Sequence, residues 1–238
     1  METPAFSELF DLFSTASAET LEWLPSITEE QEYEPNSAIL TQNTWGNAVY
    51  FIVSGWVKVQ HRAGENAVTL EILGPGDFFG EVAILDETPR ATEIVAISAV
   101  KSLSISAQRF LQTLFRDPQV NLRLSKLMVR KMRLYQSRLQ LQWQPSKVKL
   151  VKILLFLGEN YGKTTEKGTE IFQIPDQDLA DLAAVNLEEI IKNLEGLQNQ
   201  GLVEIDESNQ ILCLSNPKQL AHLYHQSRIN FYRAHSQE

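Results

Sequence analysis

The chain has 238 residues, 43% of them hydrophobic and 21% charged, a globular composition that is neither that of a disordered chain nor that of a membrane-embedded one. One cysteine, Cys213, excludes an internal disulfide and a cysteine-rich metal site, and His61, His222, His225 and His235 show no ligand spacing. The first ten residues lack the basic and apolar regions of a signal peptide, and no stretch approaches about 18 uncharged apolar residues, so a cytoplasmic protein with no membrane span and no metal is expected.

The net charge of −9 is unevenly spread. Residues 1–114 carry 5 basic and 16 acidic side chains, residues 115–145 carry 7 and 1, and residues 146–238 carry 9 and 13. Positive charge is therefore concentrated in the middle of the chain.

In chain order, Phe6, Leu9, Phe10 and Phe13, then Leu21, Trp23 and Leu24 before Pro25, predict short amphipathic helices that cover a core. From Ser37 to Ser106 the pattern becomes β-type, with runs at Val49–Val53, Trp56–Gln60, Ala67–Leu73 and Glu93–Ile105. Turn signals at Ser54-Gly55, Ala63-Gly64-Glu65-Asn66 and Gly74-Pro75-Gly76-Asp77 punctuate them, as in an antiparallel barrel or sandwich.

Between Arg116 and Trp143 there is no glycine and, after Pro118, no proline, so one long helix is expected. Leu124, Met128, Met132, Tyr135, Leu139 and Trp143 make an apolar stripe, and Arg123, Lys126, Arg130 and Arg133 a basic one. A second copy of the helix would cover the apolar stripe, giving a homodimer; the plainer alternative is a helix lying on its own barrel.

Pro145 opens a second domain: a helix over Val148–Leu157, a polar loop over 160–168, helices at Asp176–Ala184 and Asn186–Gln200, and a hairpin of Leu202–Ile205 with Gln210–Leu214. Asn186 with Glu189 forms a capping box, and Gly201 closes the second helix. That order predicts a winged helix-turn-helix. Residues 216–238 add an amphipathic extension, Leu220–Tyr232. The fold class is thus α+β, divided into residues 1–115, 116–144, 145–215 and 216–238.

The most specific local signal runs from Gly76 to Leu85 and on through Pro89-Arg90-Ala91-Thr92. Gly80 permits close backbone approach, the amides after it can face an anion, and Arg90 offers a planar fork to phosphate oxygens. Glu81 suits a ribose hydroxyl and, held by Arg90, points to a sugar-phosphate. A surface loop with an ordinary Glu–Arg pair explains either residue alone but not the whole run.

This cassette, the Tyr50–Val59 strand pair before it, and the long helix and winged helix behind it resemble the CRP/FNR family of bacterial regulators over roughly residues 20–215. The resemblance implies a jelly-roll β-roll that binds a cyclic nucleotide, a homodimer through the central helix, and a DNA-binding C-terminal domain. It carries the clamp onto Gly80, Glu81, Val82, Arg90, Ala91 and Thr92, apolar pocket walls onto Leu70 and Leu73, and a basic helix position onto Lys131. Where cAMP-activated members have a small hydroxyl pair, this chain has Tyr135 and Gln136, and Tyr135 can stack on a base. Cyclic di-GMP is therefore favoured narrowly over cAMP, with Lys131, Arg138 or the Arg130/Arg133 face near a second phosphate and Tyr135 or Trp143 against a guanine. The basic helix face can equally be a solvated one that balances the acidic barrel. No nucleophile, base and orienting group can be assembled, so an enzyme is not expected.

From Gln173 to Ser215 there is one basic residue, Lys192, against nine acidic ones. Helices that enter the major groove need cations on the phosphates, and the position where the family carries a guanine-reading arginine aligns with Leu187, followed by Glu188. The sequence therefore argues for a protein partner, another transcriptional regulator, met by Leu187, Glu188, Ile191 and Lys192, and against DNA. A DNA-binding, cAMP-responsive transcription factor is the alternative.

Overall fold

The computed structural model describes residues 6–235, with side chains followed as far as residue 226. Residues 1–5 and 236–238, which belong to the expected first and last segments, lie outside the described residues. The chain divides between Tyr135 and Gln136 into two units. The first contains α1 (Phe6–Leu9), a 3-10 turn (Asp11–Phe13), α2 (Ala18–Trp23), a second 3-10 turn (Leu24–Ile27), β1 (Thr28–Tyr33), β2 (Ala38–Leu40), β3 (Ala48–Ser54), β4 (Val57–Ala63), β5 (Asn66–Leu73), β6 (Phe78–Phe79), α3 (Glu81–Leu85), β7 (Glu93–Ala96), β8 (Val100–Ser106) and α4 (Ala107–Arg116). Helix α5 (Pro118–Leu141) runs across the division.

Two antiparallel four-stranded sheets, in the orders β1-β8-β3-β6 and β2-β7-β4-β5, make the β-roll. Alternation along β3 serves two cores at once. Tyr50 and Ile52 join Leu40, Val57, Leu73, Phe79, Ile94 and Ala96 between the sheets, while Val49 and Phe51 join Phe10, Phe13, Leu24, Phe110, Leu114, Val120 and Leu124 beneath the helices. Successive side chains of a strand point to opposite faces, so a strand covered on both sides reads as a continuous apolar run. The N-terminal aromatics act as core cover, with Phe10 and Phe13 each 5.3 Å from the Phe51 ring.

Three elements depart from the sequence pattern. Strand β1, Thr-Glu-Glu-Gln-Glu-Tyr, has no apolar run, yet it pairs with β8 at a sheet edge, where its backbone ladder and Lys101, bridged to Glu30 and 3.7 Å from Glu32, hold acidic side chains in place. The run Glu93–Ile105 breaks at Ile97–Ala99, and its halves join different sheets; at the corner Ser98 Oγ accepts from the Trp56 amide at 2.9 Å. The long helix begins at Pro118 and ends at Leu141, because Asp117, in extended conformation, separates it from α4.

Helix α5 divides its apolar residues. Leu124 is buried in the barrel-side core, with Leu127 and Met128 packed on it, whereas Leu122, Val129, Met132 and Leu139 stay exposed. Their steps of seven, three and seven place the exposed set on one track of the helix. The expected stripe is thus split between the chain's own barrel and an uncovered face.

The second unit contains α6 (Ser146–Tyr161), β9 (Lys163–Thr165), β10 (Gly168–Phe172), α7 (Asp176–Ala183), α8 (Leu187–Asn199), β11 (Val203–Asp206), β12 (Ile211–Leu214) and α9 (Pro217–His235). Helix α6 is buried along most of its length, and α7, α8 and the β11-β12-β10-β9 sheet surround a core that includes Leu150, Leu154, Leu179, Ile190, Leu197 and Leu212. This is a winged helix-turn-helix. The expected polar loop at 160–168 is instead the end of α6 and the start of a short β9–β10 hairpin, because β10 finds a partner in β12 and draws β9 onto its other edge. Asn186 Oδ1 caps α8 through the Glu189 amide at 2.8 Å.

Asp117 ties the start of α5 to the N-terminal helices. Its Oδ1 accepts from the Gln119 amide at 3.0 Å, and its Oδ2 accepts from the Ser17 amide and the Thr20 hydroxyl, both at 2.8 Å. Burial alone would push this carboxyl up, but the Ser17, Thr20 and Gln119 donors outweigh it and hold it below the usual carboxylate range. Replacing Asp117 by Ala should cost about 2 kcal/mol in urea unfolding at pH 7, from a lost cap and orphaned buried donors. A depressed folded-state pKa contributes stability above the unfolded value, near about 4, so the wild-type advantage should fade as pH falls below that value.

Candidate functional site

The cassette is built on a sharp turn. Strand β6 ends at Phe79, and Gly80 takes φ +93°, where a Cβ would lie 2.8 Å from the Ala48 carbonyl oxygen and 3.3 Å from the Arg90 guanidinium. Only glycine meets both demands without strain. The chain then makes α3 and returns through Glu87 to Arg90, whose backbone is clamped to the 41–47 loop: Arg90 N donates to Thr44 O, and Asn43 N to Arg90 O, each at 2.8 Å.

The Arg90 side chain is 6% exposed. Its guanidinium makes long contacts only, to Gly80 O at 3.5 Å and Asn47 Oδ1 at 3.4 Å. Among the described residues no carboxylate forms an ion pair with it. Burial pulls its pKa down, and the nearby Tyr50 and Glu81 offset this through space. A buried cation without a contacting anion is costly, and the guanidinium fork matches a phosphate.

Glu81 was expected to be held by Arg90, but it is taken by another cation. It is 2% exposed, and Lys131 Nζ of α5 donates to its Oε1 at 3.3 Å. Burial alone would lower the Lys131 pKa, but the Glu81 and Glu71 carboxylates and Tyr135 outweigh it and raise it. Lys131 also lies 5.4 Å from the Phe78 ring centroid. Four residues on, Tyr135 Oη donates to Glu71 Oε2 of β5 at 2.8 Å. One helix face thus reaches two buried carboxylates of the barrel, since residues i and i+4 are neighbours on a helix.

The structure brings together Gly80, Glu81, Arg90, Lys131 and Tyr135. Leu73 belongs to the inter-sheet core, Thr92 is half-buried, and Leu70, Val82 and Ala91 are exposed. Arg130 points elsewhere: with Arg123 it grips Asp11, at 3.3 Å from its own Nη1. Arg138 is half-buried and falls beyond Tyr135, in the second unit. Residues not anticipated are Glu71 and Asn47. For Glu71 the signal was present, as a charged residue inside a strand otherwise reading Val-Thr-Leu-Glu-Ile-Leu.

On α8, Leu187, Glu188, Ile191 and Lys192 are all exposed and share one face by their spacing. Glu189 and Glu195 are exposed beside them, as are Glu204, Asp206 and Glu207 on the wing. Among the described residues no cluster of His, Cys, Asp and Glu could hold a metal ion, and no helix is long and apolar enough to cross a membrane.

Residues 30–117 match the model of the cyclic nucleotide-binding domain. The chain is 29% identical over 198 residues to the cyclic AMP receptor protein of Thermus thermophilus, covering 82% of this chain and 88% of that one. It is 26% identical to the cAMP-activated global transcriptional regulator CRP of Salmonella typhimurium, covering 77% and 89%. Its fold matches that of CLP, a c-di-GMP responsive global regulator of Xanthomonas campestris, with a TM-score of 0.63 at 20% identity over 84% of this chain and 100% of the other.

Substituting Gly80 by Ala should lower unfolding stability by about 1–3 kcal/mol, from the positive φ and the Ala48 carbonyl contact. Chemical denaturation of the two proteins measures it, and an unchanged midpoint would show that the turn relaxes freely.

Proposed function

We propose, for a chain that belongs to the CRP/FNR family, that it is a cytoplasmic receptor for a nucleotide second messenger, taking cyclic di-GMP in preference to cAMP. The observation that carries the receptor reading is Arg90: a buried guanidinium, fixed by its backbone, with no carboxylate in contact among the described residues. A phosphodiester about 4 Å away would gain roughly 4 kcal/mol at an effective dielectric near 20. Gly80, Glu81 and Val82 shape the turn around that anion, with Ala91 and Thr92 beside Arg90 and Leu70 and Leu73 as apolar walls. Glu81 accepts from a ribose hydroxyl. The preference for cyclic di-GMP rests on Tyr135 and Gln136, which are too bulky for the family's small hydroxyl pair, and on the aromatic face that Tyr135 offers a guanine. Lys131 would serve a second phosphate, joined by Arg130 once it leaves Asp11.

The protein acts as a homodimer through the exposed track of α5. Ligand that binds between the cassette and α5 favours one pairing of that helix over another; equal affinity for both would transmit nothing. The output passes to a protein partner, another transcriptional regulator, through Leu187, Glu188, Ile191 and Lys192, because an acidic α8 and wing oppose the phosphate backbone. The second reading, a cAMP-responsive DNA-binding regulator, is favoured by the names of the Thermus thermophilus and Salmonella typhimurium relatives.

Calorimetry with both nucleotides tests the ligand: cyclic di-GMP should bind more tightly, and tight cAMP binding with no response to cyclic di-GMP would overturn the preference. Arg90→Ala should lose binding about a hundredfold while light scattering still reports a dimer; unchanged affinity would remove the cassette from the account. A salt titration on DNA separates the two outputs. A protein on six or more phosphates loses about a thousandfold or more in affinity between 50 and 200 mM salt, and such a fall at a defined site would establish the second reading.

A further inference from the structure

We infer that Glu71 is the base-selecting residue of this pocket and that the base it selects is guanine. The inference rests on the cyclic-nucleotide reading above and narrows its ligand class. Three buried carboxylates belong to the β-roll, and two are neutralised by direct contact. Glu93 holds Arg62 at 2.7 Å along with Gln60, and Glu81 holds Lys131 at 3.3 Å. Glu71, 6% exposed, has a neutral partner instead, the Tyr135 hydroxyl on Oε2, with Lys131 acting on it only through space. Beside the Lys131–Glu81 pair, the site therefore has a cation, Arg90, and an anion, Glu71, that among the described residues are each short of a contacting opposite charge. A ligand that answers both must bring an anionic oxygen and a pair of hydrogen-bond donors.

Guanine supplies such a pair. Its Watson–Crick edge presents N1–H and an N2 amino hydrogen side by side, which a carboxylate accepts in two parallel bonds. Adenine offers one donor, N6–H, next to a bare N1, whose lone pair would face the second carboxylate oxygen. Sites built around a buried polar pair reject the analogue that leaves it unmatched. The strand is shaped for this role. The register of β4 and β5 slips at Leu70, so that Val59 faces Glu71 and Gln60 faces Thr69, and such bulges re-aim side chains at ligand sites. Tyr135, a residue 43% exposed, orients the carboxylate through its hydroxyl and can offer its ring as a stacking surface for the same base.

Two pairs of ligands identical except in base test this by calorimetry on the full chain: cyclic di-GMP against cyclic di-AMP, and cGMP against cAMP. In whichever pair binds, the guanine member should be at least about tenfold tighter, the discrimination expected of one bidentate base contact. Glu71→Gln should move the preference toward adenine, since an amide can accept from N6–H and donate to N1. Tyr135→Phe, which keeps the carboxylate and the ring, should retain the guanine preference. Equal or tighter binding of the adenine member by the wild-type chain overturns the inference even if Glu71→Gln fails to fold, and so does a Glu71→Gln protein with its guanine preference intact. Binding without base preference sinks this inference alone, whereas binding of none of the four ligands sinks the receptor reading with it.

Discussion

The Arg90 guanidinium is buried, the Glu81 carboxylate near it is engaged by Lys131, and a buried cation left without a contacting anion is costly. Arg90 cannot move away, because the 41–47 loop pins its backbone on both sides, and the Gly80 turn closes against its side chain. Desolvation makes the uncompensated charge expensive, and the same low-dielectric surroundings make a contacting phosphate correspondingly favourable. The cassette is therefore a site whose electrostatics are left incomplete by the protein itself.

The long helix is the second participant. It reaches the barrel through Leu124, Leu127 and Met128 by apolar packing, and through Lys131 and Tyr135 by polar contacts to Glu81 and Glu71. A ligand that recruited either carboxylate would compete for a contact that α5 now makes, so its occupancy and the helix position would be linked without any additional relay. The exposed residues Leu122, Val129 and Met132 lie on the same helix, so the proposed ligand contacts and the proposed self-association face would share one element. Coupling of this kind needs, besides a shared helix, a ligand that prefers one arrangement of that helix over another.

The winged helix-turn-helix shows that a conserved kind of core does not dictate the charge of its outer surface. Its core is that of an ordinary winged helix, with α6, α7, α8 and the wing packed through buried aliphatic residues. Its outer surface on α8 and the wing exposes Glu188, Glu189, Glu195, Glu204, Asp206 and Glu207, with Lys192 among them. Packing constrains the interior and leaves the exterior open to change, which is why architecture alone does not specify the partner.

Much of this was legible in the linear order of residues. The alternation at Val49–Val53, the glycine-bearing cassette and the unbroken helical stretch after Pro118 are local patterns, and local patterns specify strands, turns and helices through backbone geometry and the need to bury one face. The choice of partners was not. Whether Glu81 meets Arg90 or Lys131, whether Arg130 faces the cassette or Asp11, and which residues of α5 lie on the barrel or in solvent depend on contacts between segments tens to more than a hundred residues apart. Sequence periodicity reports that a face exists; only the packed barrel, by bringing β5, α3 and α5 within reach of one another, decides which charge each side chain answers.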